Sequence, residues 1–265
     1  MPDSVLSAMK NRPDAAVQML FLHHAGGSSF AYMQLAHGLS AAIEPFCLDL
    51  AGRGSRFLEP FQEDAEATLA EILAAIRRRG LGRAKPLLLF GHSLGAELAY
   101  QLARRLRRES PAMRLGLILS GRGFVEPGES AEGPDATMSD AEILRLLEQY
   151  GGTPPEVLAQ PELRRHVIDA MRNDLRLLQS LCGLPKPALD VRADVVGGDL
   201  DHRVPPAGLA RWGRALSVPA APRIFAGGHF YLFSEPRLIP WIEERAAALA
   251  AQVHPVSERL SEALA

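Results

Sequence analysis

Ser93, Asp201 and His229 are the residues on which a reaction can be built. Ser93 sits in Gly91-His92-Ser93-Leu94-Gly95, between the apolar run Pro86–Phe90 and the helix-like stretch Glu97–Ala103. Gly-x-Ser-x-Gly between a strand and a helix is the pattern of a nucleophile elbow. Its turn holds the serine in a strained backbone conformation, and the flanking glycines let strand and helix pass closely. The positive end of the new helix then lies under the hydroxyl. A serine hydroxyl is a poor nucleophile until a base takes its proton during attack, and an imidazole does so near neutral pH. His229, after Gly227-Gly228, is the candidate base. Two acids, Asp199 and Asp201, compete to orient it; Asp201 fits better because it falls in the loop after its strand has ended, leaving Asp199 to shape the turn. The backbone N–H groups of Ala25 and Leu94 are the expected oxyanion donors. The reaction implied is acyl transfer through an acyl-serine, released to water.

Other reactive residues fit less well. His92, between Gly91 and Ser93, is expected to point into the core. His23 and His24 adjoin the proposed oxyanion loop and can order it. His202 is expected to be solvated, and His37, His166 and His254 lack a partner motif. Arg53 and Arg56, in the loop Ala51–Phe57, can meet an anionic ligand, but such arginines more commonly are solvated or hold a neighbouring carboxylate. No His/Cys cluster suggests a metal. The two cysteines, Cys47 and Cys182, are far apart and are expected to be reduced thiols.

Parts of the chain that would carry these groups alternate between strand and helix. Val17–His23, Glu44–Leu50, Pro86–Phe90 and Leu115–Ser120 read as strands of a parallel sheet, several of them apolar on both faces. Asp64–Arg79 reads as a helix ending in Arg77-Arg78-Arg79-Gly80, and Leu94, Leu98, Leu102 and Leu106 make an apolar stripe on the next. Between Gly121 and Pro187 no strand is evident. Ser139 and Glu142 form a capping box ahead of one amphipathic helix, and Pro161 to about Leu181 forms a second. The sheet resumes at Ala193–Gly198 and ends at Ala221–Phe225, with helices over Pro205–Leu216 and from Pro236 to about Ala251. The expected fold is a single α/β-hydrolase domain over residues 1–265: a mostly parallel, doubly wound sheet (core about 16–121 and 188–251), with a helical lid over 122–187. Met1–Asp14 reads as a frayed polar arm. It has no apolar segment of a secretion signal, and no run is long enough to span a bilayer, so a cytoplasmic protein is expected. With 47% hydrophobic residues, 23% charged residues and a net charge of −2, neither a membrane nor a nucleic acid is an expected partner.

Several segments together resemble one family. They are His24-Ala25-Gly26-Gly27, Gly52–Phe57, Gly91–Gly95, Gly151-Gly152-Thr153-Pro154-Pro155-Glu156-Val157-Leu158, Asn173–Leu178 and Gly228–Leu232. In this order, from about residue 18 to residue 242, they are similar to the type II thioesterases of polyketide and nonribosomal peptide synthesis. The resemblance implies Ser93, Asp201 and His229 as catalytic triad and residues near 122–187 as lid. The implied substrate is an acyl thioester on the phosphopantetheine arm of an acyl or peptidyl carrier protein, hydrolysed to clear stalled or mis-primed groups. No cofactor is implied, and a monomer is expected. His24, beside the oxyanion loop, and the lid residues Leu146, Leu147, Met171 and Leu175 are candidates to line an acyl chamber, although the sequence does not fix which face the lid residues take. His23 and Ala51 stand where the family usually has proline, and Leu94 replaces a common methionine. A small-molecule carboxylesterase or a serine acyltransferase would use the same triad, and a non-catalytic carrier-binding module would not need it.

Overall fold

The computed structural model describes residues 4–129, 133–150, 153, 155–218 and 221–252. Seven strands form one sheet: β1 (Leu6–Ala8), β2 (Val17–Leu22), β3 (Ile43–Leu48), β4 (Leu87–His92), β5 (Leu115–Ser120), β6 (Arg192–Gly198) and β7 (Arg223–Phe225). Their spatial order is β1-β3-β2-β4-β5-β6-β7. β1 runs antiparallel to β3, and the neighbouring pairs from β3 to β7 are parallel. This is the α/β-hydrolase arrangement, with β4, the strand that leads into Ser93, central.

Alternation along the strands explains the layers. Leu20, Leu22, Leu87, Leu89, Leu115, Leu117 and Leu119 turn to one face. There they pack on α2 (Ala65–Arg79) and α3 (Leu94–Glu109). Met19, Phe21, Leu88, Phe90 and Ile118 turn to the other, against α1 (Met33–Gly38) and the last helix, Leu238–Ala250. A period of two puts successive side chains on opposite faces, so strands covered by helices on both sides read as near-continuous apolar runs. Each leucine so buried contributes about 1.5–3 kcal/mol relative to exposure. The stripe Leu94, Leu98, Leu102 and Leu106 is buried along α3. Local signals at α2 also operate: the Asp64 side chain accepts from the Ala67 N–H at 2.7 Å, and Gly80 closes the helix in the left-handed region at φ 67°.

Between β5 and β6 the chain forms α4 (Asp140–Tyr150), the short α5 (Pro155–Ala159) and the 22-residue α6 (Pro161–Cys182). Ser139 and Glu142 make the reciprocal bonds of the capping box. α4 and α6 share an apolar seam of Ile143, Leu147, Ile168, Met171 and Leu175, and α6 also packs on α2 and α3. The helix α5 has no counterpart in the sequence reading. Gly151, Gly152 and Pro154 of the Gly-Gly-Thr-Pro-Pro stretch, and His254, lie outside the described residues.

Four elements differ in extent from the sequence reading. The arm Met1–Asp14 is not wholly frayed: Val5 and Leu6 are buried, and Leu6–Ala8 pairs with Phe46–Leu48 as an antiparallel edge strand. Three residues with one apolar anchor are too short for a periodic signal. The helix expected over Pro205–Leu216 is α7 (Pro206–Ala210) followed by a 3₁₀ turn at Arg211–Arg214. The last strand is Arg223–Phe225, and the closing helix, α8, is Leu238–Ala250.

Candidate active site

Ser93 ends β4 and begins α3, with φ 56° and ψ −113°; among the described residues it alone, apart from glycines, has positive φ. Such a conformation costs of order 1–3 kcal/mol and persists because the surroundings over-determine it. A Cβ added at Gly91 would lie 2.0 Å from the Gly95 carbonyl oxygen, and one at Gly95 would lie 1.9 Å from that of Leu22. Only glycine allows this approach, which brings the start of α3 against the end of β2 and therefore against the loop carrying Ala25. The Ser93 N–H donates to the Ser120 carbonyl at 2.8 Å, fixing the elbow to the end of β5.

His229 follows the short strand β7. Its Nδ1 donates to Asp201 Oδ2 at 2.7 Å, and the other carboxylate oxygen accepts from the Arg203 N–H at 3.1 Å. With Nδ1 so committed, the lone pair of the neutral ring is on Nε2. The competing acid, Asp199, bonds instead to the Gly227 N–H at 2.8 Å and shapes the turn before the histidine. Ser93 and His229 border one cavity.

The other histidines around this point are held neutral. His92 is fully buried, with its Nδ1 2.9 Å from Ser120 Oγ, which is in turn 2.7 Å from the Tyr231 hydroxyl. Burial, then the charges of His229 and His24, holds the His92 pKa well below the ordinary range. His24 is pushed down to about 3, chiefly by burial and then by His23, His229 and Arg53. Its ring meets that of Phe230 edge-on at 4.7 Å. His23, at the position where the family usually has proline, spans two loops. Its Nδ1 donates to the His24 carbonyl at 2.8 Å, and its Nε2 accepts from the Leu50 N–H at 3.4 Å.

The loop after β2 is tied to the inserted helices. Gly26 has φ 74°, and its N–H donates to Asp174 Oδ2 of α6 at 2.7 Å. The same buried carboxylate pairs with the buried Arg53. Arg53 thus serves a carboxylate of its own chain, as does Arg56, which pairs with Glu59 and Glu71. Asp49 gathers Ser29 and Ser55 from the two adjoining loops. His166, which had no evident partner in sequence, bonds the Gly52 carbonyl at 2.7 Å and lies 4.2 Å, ring to ring, from Phe57. Apart from Arg56 with Glu59 and Asp49 with Ser55, these partners are distant in sequence, so no local pattern reveals them.

The cavity at Ser93 has a volume of about 700 Å³. His24 and Ala25 border it, as do Leu146 of α4 and Met171 and Leu175 of α6, all candidates from sequence. Leu147 does not: it is buried in the seam between α4 and α6 and borders a separate small hollow beside Gly26 and Met171. One residue along a helix turns a side chain by about 100°, which separates the faces of Leu146 and Leu147. Arg122, Gln179 and Cys182 also line the cavity and were not anticipated. Among the described residues no group of three His, Cys, Asp or Glu side chains is placed to hold a metal ion. No helix among them is long and apolar enough to cross a membrane.

Residues 18–245 match the family model of the thioesterase domain. The chain belongs to the thioesterase family. It is therefore a hydrolase acting on thioesters. Thioesterase PikA5 of Streptomyces venezuelae is 32% identical over 221 residues, covering 83% of this chain and 77% of that protein. The medium-chain S-acyl fatty acid synthase thioesterase of Anas platyrhynchos is 27% identical over 262 residues, covering 91% and 96%. The solved structure of BorB, the type II thioesterase from the borrelidin biosynthetic cluster, superposes with a TM-score of 0.79 at 30% identity. It covers 93% of this thioesterase and 99% of the BorB chain.

Proposed function

We propose that this thioesterase removes aberrant or stalled acyl groups from the phosphopantetheine arm of acyl or peptidyl carrier proteins in polyketide or nonribosomal peptide assembly. Ser93 Oγ attacks the thioester carbonyl while His229 Nε2 takes its proton. Asp201 holds the imidazole and stabilises the imidazolium. The N–H groups of Ala25 and Leu94 receive the oxyanion, each such donor lowering the barrier by about 3 kcal/mol. The C–S bond breaks, and the pantetheine sulfur leaves as a thiol with the proton from His229. Water, deprotonated by the same imidazole, then attacks the acyl-serine; the acid departs and the proton returns to Ser93. Residues 122–187 act as a lid, since α4 and α6 contribute walls to the cavity beside Ser93.

The observation that carries this reading is the 2.7 Å bond from His229 to Asp201, bordering the cavity that also receives the strained Ser93. The editing role draws on the relationship to a type II thioesterase from a biosynthetic cluster. The test compares hydrolysis of an acyl-loaded carrier protein, its N-acetylcysteamine thioester and a p-nitrophenyl ester, with Ser93→Ala as control. Serine-dependent release fastest from the carrier supports the proposal. Rapid ester turnover with the carrier left loaded replaces it with a general esterase, and transfer to an added alcohol or amine with an acyltransferase.

A further inference from the structure

A buried group of charged side chains reaches the cavity through Arg122 and is not needed by the triad. Glu97 lies one helical turn after Ser93 on α3 and is fully buried. The buried Lys186 ammonium is 3.2 and 3.0 Å from its two oxygens, donates to the Val125 carbonyl at 2.8 Å, and lies 5.3 Å from the Phe124 ring centre. Arg122 donates through Nε to the same carboxylate at 3.3 Å, and through Nη2 to Cys182 Sγ at 3.1 Å. Burial, then the charge of Glu97, pushes the Cys182 thiol up to about 11, so it adds no negative charge at neutral pH. Two cations therefore share one carboxylate, a formal excess of one positive charge. Neither cation forms another ion pair among the described residues.

An excess charge away from bulk water is unfavourable unless a counter-charge arrives. The opening for one is at Arg122. Its side chain retains 14% of its exposure, it borders the cavity, and its Nη1 donates to no group among the described residues. Two carboxylates border the same cavity, and neither bonds Arg122 among the described residues: Glu129 pairs with Arg211, and Asp135 accepts from Thr137. Arg122 is two residues beyond Ser120, whose carbonyl holds the Ser93 N–H. At about 3.8 Å per residue its Cα is within about 8 Å of that anchor. A guanidinium presents paired donors that match a carboxylate.

Resting on the thioesterase reading above, we propose that Arg122, backed by Glu97 and Lys186, recognises a carboxylate at the far end of a short acyl group. The preferred substrates are then half-thioesters of short dicarboxylic acids rather than plain alkanoyl thioesters.

The experiment compares malonyl, succinyl and glutaryl thioesters, each with its terminal methyl ester, in wild type, Arg122→Gln and Arg122→Lys. Wild type is expected to favour the acid over its ester at least tenfold in kcat/KM at the best chain length. Arg122→Gln is expected to lower that ratio at least tenfold, and Arg122→Lys to restore part of it. A wild-type ratio of one or below, or the same ratio in Arg122→Gln, overturns the proposal. Binding provides a readout independent of turnover: glutarate, but not dimethyl glutarate, is expected to raise the Tm of wild type and to protect Ser93 from a fluorophosphonate. Equal effects of the two compounds, or none, overturn the proposal even if neither thioester is hydrolysed. Loss of turnover with glutarate protection intact instead contradicts the thioesterase reading. If Arg122→Gln fails to fold, the wild-type ratio and the protection comparison decide.

Discussion

Removing Asp174 would separate two jobs that one carboxylate performs. It accepts the Gly26 N–H at 2.7 Å, beside the proposed oxyanion donor Ala25, and it neutralises Arg53, the two side chains being 0% and 7% exposed. Asp174→Ala leaves a buried guanidinium unpaired, which costs about 3–5 kcal/mol. At roughly 2–4 °C per kcal/mol for a chain approaching this size, Tm should fall by about 10 °C. Replacing both partners, as Arg53→Met with Asp174→Leu, removes the stranded charge and should return most of that stability. It does not return the acceptor for Gly26, so the loop stays unanchored. The cost of a displaced oxyanion donor is about 3 kcal/mol, and kcat of the double variant should remain reduced by up to about 10²-fold. Asp174→Asn, which keeps an oxygen for Gly26 but loses the charge, should be less stable than wild type while losing less kcat than the double variant. The assay pairs thermal unfolding with thioester turnover at saturating substrate. Recovery of both stability and kcat in the double variant would refute the claim that this bond positions the loop.

Two further outcomes follow from the site. Asp201→Asn should lower kcat by about 10⁴-fold through the wrong imidazole tautomer, and Asp199→Asn far less, because Asp199 bonds the Gly227 backbone; the reverse order in steady-state turnover would move the orienting role to Asp199. His24, with a folded-state pKa of about 3, stays neutral while the unfolded chain takes up a proton below about 6.5. Its contribution to stability is therefore present above that pH and lost as pH falls toward 3, at about 1.4 kcal/mol per pH unit. Urea unfolding from pH 7 to pH 4 should show a shallower pH slope in His24→Gln, and an identical slope would contradict this.

What could be read beforehand was what is written locally. Gly91-His92-Ser93-Leu94-Gly95 carries its own steric reason, and β2, β4 and β5 are near-continuous apolar runs, Gln18, His92 and Ser120 apart, because helices cover both faces. The capping box at Ser139 and the Gly80 stop involve residues within a few positions of each other. Asp174 and Gly26 are 148 residues apart, and Glu97 and Lys186 are 89 apart. In sequence Glu97 is simply a favourable acid in the first turn of a helix. Lys186 reaches it from the segment after α6, which packs on α3, and Arg122 from the end of β5. Leu146 and Leu147 were indistinguishable for a related reason: which one faces the cavity depends on the rotation of α4 against α6.

The central claim is that Ser93 carries the acyl group, and intact-protein mass spectrometry of a rapidly quenched reaction tests it most directly. With an acyl-loaded carrier protein as donor, wild type should gain one acyl mass, mapped by peptide digestion to Ser93, and Ser93→Ala should gain none while its carrier stays loaded. An adduct of the same mass on Ser93→Ala, or an acyl group mapped to another residue such as Cys182, would contradict the account.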